Sequence, residues 1–192
     1  MSDRVYLDHN ATTPLRDEAR AATIAAMGVV GNPSSVHSEG RGAKSIVENA
    51  RSQISKAFGV GAHDIVFTGS ATEAAALALK DYEFQAGDIE HDSVAAWIRP
   101  DLPVASGAVQ VSDPTITALQ MANSETGVLQ SVPDGLGFCD MTQAFGKLPI
   151  SFNWSGARMG CASAHKLGGP KGVGCLLLKP GQELTSQIKG GG

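Results

Sequence analysis

A lysine amine that attacks a carbonyl has to be held rigidly and be partly deprotonated. The run Ser163-Ala164-His165-Lys166-Leu167-Gly168-Gly169-Pro170-Lys171-Gly172-Val173-Gly174 offers Lys166 in such a setting. Ser163 and His165 are residue types that bind phosphate, and the flanking glycines let backbone come close to a planar ligand. Taken alone, a Lys-Gly loop reads more simply as a surface turn with two solvated lysines. Four other segments weigh against that simpler reading.

Asp140-Met141-Thr142-Gln143 puts a carboxylate at a strand end, suited to pairing with a pyridinium nitrogen and keeping the ring an electron sink. Gln143 lies within reach of such a ring's phenolic oxygen, although Asp140 alone is as easily a cap or turn residue. Thr68-Gly69-Ser70-Ala71-Thr72-Glu73-Ala74 reads as a strand–turn–helix junction whose amides and dipole make a phosphate cradle. Plain N-capping by Ser70 or Thr72 accounts for the same residues. His91, in Glu90-His91, supplies an imidazole that can stack on a ring, though a lone histidine is usually structural or exposed. Ala122-Asn123-Ser124-Glu125-Thr126-Gly127 gathers amide, hydroxyl and acid in a loop after a strand. Together their order and types specify a site for pyridoxal phosphate centred on Lys166.

The elements that must position these residues follow from periodicity and punctuation. Pro14 precedes a helix predicted over 16–27. Gly31 to Ser35 is a loop by composition. Ala43, Ile46, Val47, Ala50, Ile54 and Phe58 recur at spacings of three and four, which predicts an amphipathic helix over 40–58. A buried strand is expected over 64–68 and an Ala- and Leu-rich helix over 72–80. Beyond Lys80 the pattern blurs, with short strands possible near Ile89, Val104 and 109–111. Strands are predicted at 117–121, 137–140, 159–164 and 172–178, the last a glycine-bounded apolar run. Strands alternating with helices predict an α/β, three-layer fold with a mostly parallel sheet, whose ligand sites lie at strand carboxyl ends.

The 192 residues suffice for one good core, and 42% hydrophobic with 18% charged residues is ordinary for a globular chain. A net charge of −4 without any Lys/Arg run gives no footprint for nucleic acid or an anionic membrane surface. No apolar stretch has the length of a signal peptide or a bilayer span, and the cytoplasm is the expected compartment. Cys139, Cys161 and Cys175 lie in apolar or small-residue surroundings and read as packing thiols; no metal site is expected.

The ordered motifs resemble those of the cysteine desulfurases, among the class V, fold type I pyridoxal-phosphate enzymes. Tyr6-Leu7-Asp8 with Ala11-Thr12-Thr13-Pro14 is similar to that family's opening motif, and Gly31-Asn32-Pro33-Ser34-Ser35-Val36-His37 with Gly40-Arg41 to its next. Ala71 to Ala74, Glu90-His91, Ala122 to Gly127, Asp140 with Gln143, and Ser163 to Lys166 follow in order, and Gly190-Gly191-Gly192 resembles the start of a further glycine motif. The resemblance implies Lys166 as the Schiff-base and proton-shuttling lysine, and His91 as the stacked, catalytic imidazole. It implies Asp140 on the pyridine nitrogen, Gln143 on the phenolate, and Thr72, Ser163 and His165 on the phosphate. Asn123 would contact ring and substrate. The implied substrate is L-cysteine or a similar amino acid, giving L-alanine and a persulfide. A sulfur-acceptor protein, of the kind used in iron–sulfur cluster assembly, and a homodimer or partner chain are implied as well.

The resemblance covers the first part of a full-length family member, so residues 1–15 are expected to form an N-terminal arm and 16–192 the cofactor-binding large domain. Residues 81–118 are short relative to the family, and Gly69-Ser70 reverses the commoner order. The family's nucleophilic cysteine, substrate-carboxylate arginine, Arg-x-Gly-Thr segment and small domain fall beyond the lysine motif. Full turnover is therefore expected to need more chain or a partner. Two alternatives stand beside this reading: a non-catalytic relative serving assembly, and a class V aminotransferase or lyase acting on another amino acid.

Overall fold

The computed structural model describes residues 4–61 and 64–190. Gly191 and Gly192, part of the glycine run matched above, lie outside the described residues. A five-stranded sheet forms the centre, built from β1 (Ile65–Thr68), β6 (Ala118–Gln120), β7 (Phe138–Asp140), β8 (Met159–Ser163) and β9 (Gly174–Leu178), in the order β1-β9-β8-β7-β6. β6, β7 and β8 are parallel, whereas β9 runs against both β8 and β1. The sheet is thus mostly parallel, with β9 the one reversed strand.

Strict alternation divides the sheet side chains between two faces. Ile65, Leu119, Cys139, Ala162, Cys175 and Leu177 belong to one buried cluster. Ala118, Phe138, Met159, Cys161 and Leu176 belong to the other. Strands covered on both faces read as continuous apolar runs, and this is why Gly174-Cys-Leu-Leu-Leu could be seen in the sequence.

α3 (Ala71–Leu79) covers the second face, with Ala74, Ala75, Ala78 and Leu79 fully buried; short alanine side chains let the helix sit close to β8 and β9. On the first face the C-terminal end of α2 (Ser38–Phe58) inserts Phe58, which stacks on Phe145 at 3.5 Å between centroids. α2 ends at Gly59, whose φ of 70° is the left-handed cap that a side chain would resist. Its predicted apolar stripe is buried at Ala43 and Phe58, with Ile54 partly buried against the core and Ile46 exposed. α1 (Asp17–Met27) buries no residue at all. Helices on both faces complete the three layers.

Between Lys80 and Thr117 the chain makes a parallel pair, β2 (Phe84–Gln85) with β3 (Ile98–Arg99), a one-turn helix α4 (Asp92–Ala95), and a hairpin of β4 (Val104–Ala105) and β5 (Ala108–Val109). Ser106 and Gly107 turn that hairpin, both with positive φ, as a type I′ turn requires. Ile89 lies in the turn before α4 rather than in a strand. The short strands expected near Val104 and 109–111 fall on β4 and β5, whereas β2 and β3, of two residues each, carry no periodicity to read. Among the described residues no helix is long and apolar enough to cross a membrane.

Candidate active site

Register brings Gln120 and Asp140, the carboxyl ends of β6 and β7, into one row with Cys161 in the middle of β8. Above this row opens a cleft of about 200 Å3. One end of it is the start of α3, where Ser70, Ala71 and Thr72 contribute, with Ser163 and His165 from the end of β8. His91, the Asp140–Gln143 run and Lys166 reach the same space from three separate segments. The sequence groups these residues by type and order; the fold is what sets the three segments side by side.

Asp140 is nearly buried, and two donors share its Oδ1: the Thr142 N–H at 2.8 Å and the Cys161 thiol at 3.6 Å. Both orient the carboxylate, which lines the cleft as an acceptor. All three cysteines are buried and unpaired, as expected of packing thiols. Burial pushes Cys175 up to about 11, and pushes Cys139 and Cys161 further in the same direction with help from Asp140, so none of them is a thiolate at neutral pH.

Lys166 ends a 3-10 turn, Ala164–Lys166, directly after β8. Its Nζ donates to the Asn10 carbonyl at 2.5 Å, and Gln143 Nε2 donates to that same carbonyl at 2.8 Å. Gln143 Oε1 in turn accepts from Lys147 Nζ. The N-terminal segment is stitched to the lysine turn: Thr13 N–H donates to His165 O and Arg16 N–H to Gly168 O, each at 2.9 Å. His165 Nδ1 lies 3.1 Å from Thr12 Oγ1, and its pKa is lowered by burial and then by Lys166 and Lys171, so the imidazole is neutral at neutral pH.

At the α3 end, Ser70 is the N-cap and accepts the Glu73 N–H at 3.1 Å, while Glu73 reaches back to the Gly69 N–H at 2.7 Å. Capping by Ser70 and exposure of the first-turn amides to the cleft therefore coexist. Thr72 is exposed on that first turn. His91 caps α4, its Nδ1 accepting the Ser93 N–H at 3.1 Å.

Asn123 is the exception among the candidate residues. Its neighbours Ala122 and Ser124 line the cleft, but its own Oδ1 accepts the N–H groups of Glu125 and Thr126 at 2.9 and 2.8 Å, and its Nδ2 donates to Ile89 O at 3.2 Å. The side chain closes a turn, where asparagine is favoured for that local bonding. Gln120, Ser93, Asn10 and Glu90 were missed by sequence reasoning. Alternation along 117–121 puts Gln120 on the face of Ala118, but only the register with β7 places it beside Asp140.

Glu90 is 9% exposed and its Oε2 has no hydrogen-bond partner. Its pKa is raised to about 8, first by burial and then by Asp140, against the lowering effect of the Gln120 N–H that it accepts.

An α/β sheet that converges a lysine, a strand-end carboxylate and a helix N-terminus on one cleft has the layout of an enzyme that attaches a phosphate-bearing carbonyl cofactor. The chain belongs to the class-V aminotransferase family, whose defining sequence pattern matches residues 5–97 and 106–192. It is 32% identical to a cysteine desulfurase of Frankia sp. (strain EuIK1) over 98% of its own length and 56% of that protein. The fold is similar to a solved NifS-like protein, with a TM-score of 0.89 and 28% identity over 98% of this chain and 62% of the other. It is also similar to the solved complex of SspA with cysteine, with a TM-score of 0.87 and 26% identity over 98% of this chain and 65% of the other. The chain thus spans little more than half the length of the relatives it matches.

Proposed function

We propose that this chain holds pyridoxal phosphate at the cleft and serves as the cofactor-binding part of a cysteine desulfurase acting on L-cysteine. The observation that carries the reading is the convergence of Lys166, Asp140, His91, Gln143 and the start of α3 on one space at the strand ends. The names of the relatives support the substrate: a cysteine desulfurase at 32% identity and a structural neighbour solved with cysteine.

The residues fit the cofactor. The α3 amides, Thr72, Ser163 and His165 form a donor-rich end for a phosphate, and the helix dipole favours its charge. β9 passes that end so closely that a Cβ on Gly174 would lie 2.5 Å from the Ser70 carbonyl carbon, a cradle shaped from backbone. Bound there, pyridoxal phosphate would supply an electron sink that lowers the cost of negative charge at the substrate's α-carbon.

The chain's own residues do the rest. Asp140, fixed through Oδ1 by Thr142 and Cys161, would hold a proton on the ring nitrogen by charge pairing. The His91 imidazole would hold the ring face, and Gln143, whose amide here donates to the Asn10 carbonyl, would hold the phenolic oxygen. Lys166 Nζ, which here donates to the Asn10 carbonyl, is the amine that would hold the cofactor's carbonyl carbon, and the base that would move a proton at the substrate's α-carbon. Asn123 acts through the shape of its turn rather than by contact. A thiol that would take the substrate's sulfur is none of Cys139, Cys161 and Cys175, which are buried and protonated. Exposed Ile24, Met27, Val30 and Val36 give a second chain an apolar surface, and we include a homodimer in the proposal.

The test is addition of the cofactor to purified protein. A visible absorption band should form in the wild type and fail to form in Lys166→Ala, with alanine and sulfide produced from cysteine when an acceptor thiol is present. A wild type that gains no lysine-dependent band refutes the cofactor site. A band with transamination or lyase products and no sulfide moves the activity to another class V reaction. A band with no product of any kind leaves a non-catalytic relative.

A further inference from the structure

The segment Ile89-Glu90-His91 reaches the site from outside the main sheet and is fastened to the end of β6 by three side-chain hydrogen bonds. Glu90 Oε1 accepts the Gln120 N–H at 2.9 Å in a buried contact. The Ile89 carbonyl accepts from Gln120 Nε2 and, at 3.2 Å, from Asn123 Nδ2. His91 then starts α4, its carbonyl accepting the N–H groups of Val94 and Ala95. Gln120 and His91 both line the cleft, and Gln120 is the Cα partner of Asp140. Of the three bonds, the one made by Glu90 is made to the backbone of β6, whereas the other two come from the side chains of Gln120 and Asn123, so it fixes the height of the segment along β6 whatever the rotamer of Gln120.

We propose that Glu90 is a positioning residue of this site, its buried carboxyl setting His91 and Gln120 in register with Asp140. The inference rests on the cofactor reading above and deepens it.

Only one oxygen of Glu90 is used for this bond. The other, Oε2, is buried without a partner. An ionised carboxylate left so would lose its hydration for a single hydrogen bond, which is costly. The neutral acid removes that cost, and the proton affinity is raised accordingly, by burial and by Asp140. The titratable groups that act on Glu90 and on which it acts are Asp140 and Cys139, both of β7, and each coupling disfavours negative charge. With Glu90 neutral, the site presents one carboxylate, Asp140, to one cationic ring nitrogen. Ionising Glu90 would add a second negative charge behind that pair and hold the ring proton more tightly.

The experiment compares Glu90→Gln and Glu90→Ala with wild type in the full chain, measuring pyridoxal-phosphate Kd, the induced circular dichroism of the bound cofactor from pH 6 to 9, and the His91 ring signals by NMR in cofactor-free protein. Gln retains an acceptor for the Gln120 N–H and is always neutral. It should keep the Kd and the His91 signals, and it should lose a step in the dichroism near pH 8 that the wild type shows, the point to which Glu90 is raised. Ala should shift the His91 signals and weaken the cofactor about tenfold, equivalent to about 1.4 kcal/mol. Wild-type Kd and His91 signals in Glu90→Ala overturn the proposal, as does a pH step that survives in Glu90→Gln. Should Glu90→Ala not fold, the pH step and His91 signals of Glu90→Gln decide alone. A wild type without a Lys166-dependent band refutes the cofactor reading instead, and the His91 signals of cofactor-free protein still judge the clamp.

Discussion

Replacing Gly174 by Ala tests how far the cleft depends on one close approach. A Cβ at this position would stand 2.5 Å from the Ser70 carbonyl carbon, 2.8 Å from its oxygen and 2.9 Å from the Ala71 nitrogen. Ordinary contact between carbons is about 3.5 Å, so β9 and the start of α3 must separate by roughly 1 Å. All three obstacles are backbone atoms and cannot turn aside as a side chain would. Overpacking of this kind costs about 1–3 kcal/mol, offset by roughly 0.5–1 kcal/mol because alanine restricts the unfolded chain. A net loss near 1–2 kcal/mol lowers Tm by about 2–8 °C in a chain of this size. The moved amides are those offered to phosphate, and loss of one hydrogen bond to a charged group weakens pyridoxal phosphate about tenfold or more. The assay is thermal unfolding together with cofactor titration, with Gly172→Ala as control. Gly172 has a φ of 79° and open space around it, so that change strains the turn and leaves α3 in place. Wild-type Tm and affinity in Gly174→Ala would refute the reasoning, as would equal loss of affinity in the control.

Glu90 gives a pH prediction of definite sign. Its folded pKa of about 8 stands above the ordinary 4.5, so the folded state keeps a proton that the unfolded state releases, and stability falls as pH rises from 4.5 through about 8. Between pH 4.5 and 7 this amounts to roughly 3 kcal/mol at 1.36 kcal/mol for each pH unit; Glu90→Gln removes it, so urea unfolding should show the variant gaining on wild type across that range, and a constant difference would sink the idea. Ser70→Ala removes the cap that accepts the Glu73 N–H and should cost about 1 kcal/mol by denaturant unfolding. Phe58→Ala empties the contact that seals α2 to the sheet and should cost about 3–5 kcal/mol, and a loss below 1 kcal/mol would show that the helix end is not a core element.

Much of the fold was legible because its signals are local. The apolar run of β9, the strand ends at Thr68 and Asp140, and the helix of α3 were read within a few residues of where they lie. The reversed direction of β9 was not visible, since a buried run reads alike in either direction. Nor was the exposure of much of α2, whose stripe is buried only at Ala43 and Phe58. Asn123 was expected on the ligand because an amide in a loop after a strand suits a ring; its turn claims the side chain first.

What the sequence by itself determined was the set of chemistry-bearing residue types and their order along the chain, Thr72, His91, Asp140, Gln143, Ser163, His165 and Lys166, because each sits in a short motif of turn and strand-end residues. Tertiary structure alone decided that Gln120, Asp140 and Cys161 stand in one row, that one carbonyl of Asn10 holds both Lys166 and Gln143, and that Glu90 is buried with an oxygen to spare. Register between strands distant in the chain is set by how their two faces pack, and the protonation of a carboxyl is set by what surrounds it; neither is a property of neighbouring residues.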